Sequence, residues 1–364
     1  MPVPPADDQA ISPEPLGGGG NKDRLFAGAL PKLVASLVIA VGFVWLLARG
    51  GLPLLPEQGV LGRVSKPELV GFVACIVACN LLRTYRWVFL LRPIAPRIKP
   101  IRVMGVGLVG FSAIFLAPLR MGEIVRPYLL AQDGEVSFMQ AAGTLFAERV
   151  IDGLMLMVMA GTAMALAPTV SPLPTSLGDI PLPLVTVRGA VYTAALAFTG
   201  LFLVMVAFYA ARQQARQVTR WLLGFISPRL AEWAASTLER VADGLSFLPS
   251  RSALFSFVGC TALYWFASVS GYYLLLHGSG LPVTATQAAS TVGVLGLGVI
   301  VPAGPGLFGA YQIAGFSALA LFFPLDQVRT KGVAFVFISY VVQLALTVVQ
   351  LVVGFVLLGR RSKA

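Results

Sequence analysis

Charged residues are scarce in this chain. Asp, Glu, Lys and Arg make up 12% of its 364 residues, and hydrophobic residues make up 57%. An average soluble domain is about 25% charged and about 45–50% apolar. So few charges leave too little polar surface to cover a water-soluble globule. The composition excludes an ordinary soluble enzyme and predicts an all-α polytopic integral membrane protein.

Histidine and cysteine are nearly absent as well. A single histidine, His277, cannot supply a His-rich metal site, and a His-based catalytic triad needs partners that this chain lacks. Three cysteines, Cys75, Cys79 and Cys260, cannot build a disulfide framework. The P-loop pattern G-x-x-x-x-G-K-[ST] is missing too. We therefore expect no metal, no cofactor and no ATPase within the chain.

Basic residues exceed acidic ones, 27 against 16, which gives a net charge of +11. In a soluble protein this surplus would suggest a nucleic-acid partner. In a polytopic membrane protein it is explained by basic residues in cytoplasmic loops, which fix the topology. We expect membrane lipid, and no nucleic acid, as the partner; the sequence leaves a homo-oligomer open.

Long apolar segments divide the chain. Residues 1–24 are rich in Pro and Gly and predict a disordered cytoplasmic tail. Residues 25–364 form one transporter-like transmembrane domain, with a first half at about 29–210, a basic cytoplasmic linker at 211–251 and a second half at 252–358. We expect about seven to eight spanning helices. The candidate spans are 29–48, 68–91, 144–167, 187–210, 252–276, 287–303, 308–323 and 333–358.

A shorter apolar stretch, 103–119, decides the topology. If it enters the membrane and returns on the same side, 21 of the 27 Lys and Arg residues lie inside and 6 outside. If it crosses, the split becomes 12 inside and 15 outside. The positive-inside rule favours the first arrangement. The stretch is therefore predicted to be a re-entrant helical hairpin, with both chain termini in the cytoplasm.

The second half contains a counterpart to this hairpin. Segments 287–303 and 308–323 are joined by VPAGPGLFG, whose prolines and glycines interrupt any helix. The pair is either two full spans or a second hairpin that enters from outside. One broken element in each half, in opposite orientation, is typical of inverted-repeat transporters. The residues expected to shape the two hairpins are Pro118 and Gly122 in the first, and Pro302, Gly304, Pro305, Gly306, Gly309 and Gln312 in the second.

Six ionisable residues follow the first hairpin. Arg120, Glu123 and Arg126 are spaced by three and would share one helical face, in a short helix that we expect to end or bend at Pro127. Glu148, Arg149 and Asp152 lie at the start of the next apolar span. Ionisable groups at membrane depth usually mark a functional pathway. The alternative is that these six are interfacial charges that neutralise one another. Two further arginines, Arg83 and Arg86, lie at the end of an earlier span and would attract anionic lipid at the cytoplasmic surface or signal topology.

These residues carry a family resemblance. The segment APLRMGEIVRPYLL, followed by AERVIDG, resembles the transmembrane region of lysylphosphatidylglycerol synthase/flippase proteins. PGLFGAYQ at 305–312 is similar to the second signature of that family, although Gln312 stands where an acid is usual. The chain would be a stand-alone member without the soluble synthase domain. The resemblance implies movement of a polar lipid headgroup between leaflets.

The resulting hypothesis is a lipid flippase or facilitator, not an enzyme, in the bacterial cytoplasmic (inner) membrane. Its substrate is a phospholipid or a polyprenyl or hopanoid lipid. Arg120 and Arg126 are expected to bind lipid phosphate, because guanidinium groups form bidentate bonds with it. Glu123, Glu148 and Asp152 would balance the arginines or bind a cationic headgroup. Two alternatives are an integral-membrane enzyme that uses one of these acids as general base, and a non-transporting partner of a lipid or glycan synthase.

Overall fold

The computed structural model describes residues 37–117, 122–132, 134–225, 227–248, 250–300 and 303–359. Within these ranges the chain forms twelve helices and no strand. In chain order the helices are α1 (Leu37–Arg49), α2 (Lys66–Leu91), α3 (Pro100–Leu116), α4 (Gly122–Ala131), α5 (Phe138–Leu166), α6 (Leu184–Ala210), α7 (Arg212–Gly224), α8 (Pro228–Asp243), α9 (Arg251–Gly278), α10 (Ala285–Ile300), α11 (Ala310–Ala320) and α12 (Leu325–Gly359).

Five of these helices, α2, α5, α6, α9 and α12, are long and apolar enough to cross a membrane. Three shorter helices, α1, α3 and α10, are also apolar. The prediction of an all-α polytopic membrane protein is confirmed. The first predicted span, 29–48, lies partly outside the described residues, so the expected seven to eight spans compare with five full-length helices and these three shorter ones.

The stretch 103–119 does not form a hairpin by itself, because α3 runs unbroken to Leu116. The first hairpin consists instead of α3 and α4, the short helix that was expected to follow it. They pack so closely that a Cβ atom on Gly122 would lie 2.2 Å from the carbonyl oxygen of Gly110. The predicted hairpin-shaping residue Pro118 lies outside the described residues. The sequence predicted that the short helix ends or bends at Pro127. It does not end there, because α4 continues to Ala131. Proline removes only one backbone donor, and burial of Arg126, Pro127 and Leu130 stabilises this helix.

We expect Gly122→Ala to destabilise the protein by about 1–3 kcal/mol, because backbone atoms cannot move aside for the added methyl group. The matched control is Gly200→Ala in α6, where a Cβ atom would meet nothing within 4 Å. This change should be neutral or slightly stabilising, since alanine favours helix. Thermal unfolding in detergent measures both. Equal midpoints for the two variants would contradict close packing at Gly122.

Helices α10 and α11 form the second hairpin. Their 16 and 11 residues correspond to about 24 and 16 Å, less than the roughly 30 Å of a bilayer core, which favours a hairpin over two full spans. In the connecting segment, Gly306 and Gly309 have φ values of +71° and +88°, a region that glycine adopts without strain. Gln312 accepts a hydrogen bond from the Gly309 amide (2.6 Å) and caps α11.

The remaining predicted shaping residues of the second hairpin lie in its tip. Pro305 begins a single 3₁₀ turn, Pro305–Leu307, and Gly304 precedes it in an extended conformation. Pro302 lies outside the described residues. Phe115 at the end of α3 packs with Ala303 and Leu307 of this tip. The end of α3 in the first hairpin therefore contacts the tip of the second one inside the protein.

The two halves repeat one order of elements: a long helix, a hairpin, then another long helix. Helices α2 and α9 are antiparallel, since Arg86 bonds Thr261 near one end and Ser65 bonds Gly278 at the other. Helix α3 packs on α12, and α10 packs on α5 in the equivalent way. Each half thus supplies the support for the other half's hairpin. This exchange is the arrangement expected of an inverted repeat.

Helices α7 and α8 form an amphipathic pair within the predicted linker. They are joined by ion pairs from Arg216 to Glu239 and from Arg220 to Glu232. The hydrogen bond from Arg220 lowers the pKa of Glu232 from its ordinary value. The end of α8 packs on the first turns of α5, where Gln140 donates to Asp243. This contact holds the beginning of α5, about two turns before Glu148.

Candidate functional site

A cavity of roughly 530 Å³ lies between the two halves. Its walls come from α2, α5, α9 and α10, and Phe115 and Leu307 of the two hairpin tips also line it. Its size falls in the range of about 300–1,000 Å³ that is usual for ligand pockets. The cavity is therefore a candidate binding site that both hairpins help to form.

The lining of the cavity changes from polar to apolar along its helices. Its charged and polar wall is formed by Asn80 and Arg83 on α2, Arg149 and Asp152 on α5, and Tyr264 on α9. One or two turns further along the same helices and on α10, the lining is mostly apolar and includes Ile76, Leu156, Val292 and Leu295. Such a cavity matches an amphipathic ligand with a polar head and a hydrocarbon chain.

A buried ion pair connects α2 to α5 beside the polar wall. Arg86 donates two hydrogen bonds to the carboxylate of Asp152, each 2.6 Å long. Tyr264 donates to the same carboxylate (2.8 Å), and Arg86 also donates to the hydroxyl of Thr261 (2.8 Å). Arg86 is fully buried. The bidentate geometry satisfies both carboxylate oxygens and holds α2, α5 and α9 together.

Glu148 joins this pair to the first hairpin. Its two oxygens accept hydrogen bonds of 3.0 and 2.9 Å from Arg126 on α4, and one of them accepts a third from Arg149 (3.1 Å). Arg86 is 3.4 Å away. Arg126 and Glu148 are completely buried. Desolvation of such charges is costly unless each is paired, and Glu148 is paired with three arginines.

Three arginines of this region lie around one aromatic ring, that of Phe111. The guanidinium groups of Arg83 and Arg126 lie 4.1 and 4.3 Å from the centroid of Phe111 on α3, and that of Arg149 lies 5.6 Å from it. The guanidinium of Arg126 also lies 4.3 Å from the ring centroid of Trp87. These stacking contacts hold several like charges close together at the foot of the cavity.

The six candidate residues from the sequence divide into three groups. Glu123, Arg149 and Asp152 line the cavity. Arg126 and Glu148 are paired behind its wall. Arg120 lies outside the described residues. The structure thus brings the five described members into one region.

Sequence reasoning missed several residues of this region. Arg86 was expected at the cytoplasmic surface, yet it is buried at the centre of the network. Asn80 and Tyr264 line the cavity and were not candidates, and Arg83, which was expected at the surface with Arg86, lines it too. The available signal was the i, i+3 spacing of Arg83 and Arg86 inside a candidate span, because buried arginines in a membrane helix need partners.

A second polar group lies at the opposite part of the cavity. The hydroxyls of Tyr272 on α9 and Tyr311 on α11 are 3.0 Å apart, and both residues line the cavity together with Gln343. The ring of Tyr340 lies against that of Tyr311, with the centroids 5.6 Å apart. Uncharged hydroxyl and amide groups thus continue the polar lining toward the second hairpin.

Comparison with known proteins gives a family match over most of the chain. The family model described as "Lysylphosphatidylglycerol synthase TM region" matches residues 33–349. "Glycosyltransferase AglD" of Haloferax volcanii is 26% identical over 340 residues, which cover 88% of this chain and 54% of that protein. The chain thus spans about half the length of this curated relative. No solved structure matches.

Proposed function

This chain belongs to the lysylphosphatidylglycerol synthase transmembrane region family, and we propose that it is a lipid flippase or facilitator that moves a polar headgroup between leaflets. The observation that carries the proposal is the amphipathic cavity that residues of both helical hairpins line. Broken helices at membrane depth need protein or water around their free backbone groups, and transporters use such places as substrate sites.

The division of the cavity suggests how a lipid would bind. The headgroup would lie against the wall of Arg83, Arg149 and Asp152, where charge replaces its hydration shell. The hydrocarbon chain would extend along Leu156, Val292 and related residues, or into the surrounding bilayer. Because the headgroup would exchange water for fixed polar groups, the barrier to its crossing of the apolar core would fall.

The paired residues behind the wall would act as a scaffold in this mechanism. Arg126 and Glu148 are joined by two hydrogen bonds, so we assign them the role of holding the first hairpin against α5. Arg149 and Asp152 reach both the network and the cavity, and Glu123 faces the cavity at the hairpin tip. These three would contact the headgroup directly.

The membrane placement follows from the charge distribution. We propose a bacterial cytoplasmic membrane, with both termini and the α7–α8 pair in the cytoplasm, because this arrangement leaves 21 of 27 basic residues inside. The polar wall then lies toward the cytoplasmic leaflet, and the tyrosine group toward the outer one. The cargo would be a phospholipid or a polyprenyl or hopanoid lipid.

A second candidate is suggested by the name of the archaeal relative. The match to a protein named as a glycosyltransferase covers most of this chain, so a lipid-linked glycan is an alternative cargo. In that case the chain would either work beside an enzyme of glycan transfer or carry out such a step itself. New lipid products would then form in its presence.

The experiment is a leaflet assay with the purified full-length chain in liposomes. A fluorescent phospholipid is bleached from outside by dithionite, and we expect protein to make the inner-leaflet label accessible faster than in protein-free liposomes. The lipids are then extracted for mass spectrometry. Unchanged lipids with accelerated bleaching support transport. Equal bleaching rates in the two samples would overturn the proposal, and a converted lipid would favour the enzyme.

A further inference from the structure

Three buried hydrogen-bond donors in the cavity wall have no partner among the described residues. They are Nδ2 of Asn80, Nε of Arg83 and Nε1 of Trp265. Asn80 and Arg83 are one turn apart on α2, and Trp265 lies on α9, which packs antiparallel to α2. Donors of the two neighbouring helices thus line one cavity.

Unsatisfied donors at this position require an explanation. A buried donor without a partner costs about 1–3 kcal/mol, and folded proteins contain few of them. Arginine and the indole of tryptophan only donate hydrogen bonds. A ligand that satisfies them must therefore offer several acceptor oxygens.

The local charge indicates the same type of ligand. Arg86, Arg126 and Arg149 pair with the two buried carboxylates of Glu148 and Asp152. A fourth arginine, Arg83, stacks on the same Phe111 ring as Arg126 and Arg149. Positive charge remains in excess even when Glu123 is counted. The Arg83 guanidinium is held against Phe111 at 4.1 Å, so its orientation is fixed before a ligand arrives.

We infer that Asn80, Arg83 and Trp265 bind the phosphate group of the transported lipid and determine which lipids are accepted; this inference rests on the proposed function. A phosphate group offers several oxygens to donors from two helices and neutralises the surplus charge. The adjacent apolar wall of the cavity then accounts for a hydrocarbon chain on the same molecule. Arg83 is the principal anchor, since it contributes charge as well as hydrogen bonds.

The test compares Arg83→Gln with Arg92→Gln, which removes an exposed arginine near the end of the same helix. Two fluorescent lipids are used in separate liposomes: phosphatidylglycerol, and a neutral glucosylceramide that lacks phosphate. We expect Arg83→Gln to slow phosphatidylglycerol transfer about tenfold or more and to leave glucosylceramide transfer within about twofold of wild type. Arg92→Gln should change neither. An equal loss for both lipids would show a structural role and overturn the inference.

A binding measurement keeps the inference separate from transport. Native mass spectrometry of the detergent-solubilised protein should show phosphatidylglycerol adducts on wild type and Arg92→Gln, and about tenfold fewer on Arg83→Gln. Absent transport with these adducts retained would refute only the proposed function. Equal adducts on all three proteins would refute the anchor. Displacement of the adducts by inorganic phosphate at millimolar concentration would assign the site to a free anion and contradict a lipid site.

Two milder variants test the same inference if the Arg83→Gln protein does not fold. Asn80→Ala and Trp265→Phe each remove one unpartnered donor and no charge. Each should weaken phosphatidylglycerol adducts about threefold to tenfold while the thermal midpoint stays the same or rises, because no protein hydrogen bond is lost. A lower midpoint with unchanged adducts would contradict the inference.

Discussion

Glu148→Gln is expected to lower the free energy of unfolding by about 3–5 kcal/mol. The carboxylate is fully buried and is bonded to Arg126 and Arg149, with Arg86 at 3.4 Å. Glutamine is nearly the same size, so packing is preserved, but the charge and one of the two acceptor oxygens are lost. Arg126 then loses its charged partner and Arg149 one of its acceptors, while Arg86 keeps Asp152, and the penalty is electrostatic. Unfolding of the purified protein in mixed micelles, titrated with sodium dodecyl sulfate, measures the change.

Two further variants identify the cause. Glu239→Gln removes an exposed carboxylate that also pairs with an arginine, Arg216, and should change the free energy of unfolding by less than about 0.5 kcal/mol. The double variant Arg126→Met with Glu148→Leu removes opposite charges together and should recover part of the stability that Glu148→Gln loses. A Glu148→Gln protein as stable as wild type would show that the network is not the scaffold.

The sequence predicted those structural features that depend on the composition of a single segment or on a simple sum over the chain. Spanning helices such as α6 and α9 were predicted because their apolar composition is a property of each segment alone. A hairpin in the first half was predicted because the positive-inside rule sums charges over the whole chain, but its second arm, α4, was placed after it. Helix α4, by contrast, runs through Pro127, since burial of its neighbours outweighs one missing hydrogen bond.

The ion network was less accessible to sequence reasoning. Arg86 and Asp152 are 66 positions apart, and only the packing of α2 on α5 and α9 brings them together. Spacing rules describe one helix at a time, so they grouped Glu148 with Asp152 but gave no partner for Arg86. Gln312 is similar: its capping bond depends on the positive φ of Gly309, which no spacing rule supplies.

Leu295→Trp is expected to reduce lipid transfer about tenfold or more, equivalent to about 1.4 kcal/mol or more of added barrier. Leu295 lines the apolar part of the cavity and is 4% exposed. An indole ring there would occupy space that the proposed path requires. The matched control is Leu196→Trp on α6, where the leucine is 76% exposed and faces away from the cavity. Size-exclusion chromatography and thermal unfolding first establish that both proteins are folded.

The leaflet assay on this pair of variants tests the central claim, that lipid moves through the cavity between the two hairpins. The measured quantity is the rate at which fluorescent phosphatidylglycerol becomes accessible to dithionite, per reconstituted protein molecule. The account predicts a wild-type rate for Leu196→Trp and a rate near that of protein-free liposomes for Leu295→Trp. A folded Leu295→Trp protein that transfers lipid as fast as Leu196→Trp would contradict it.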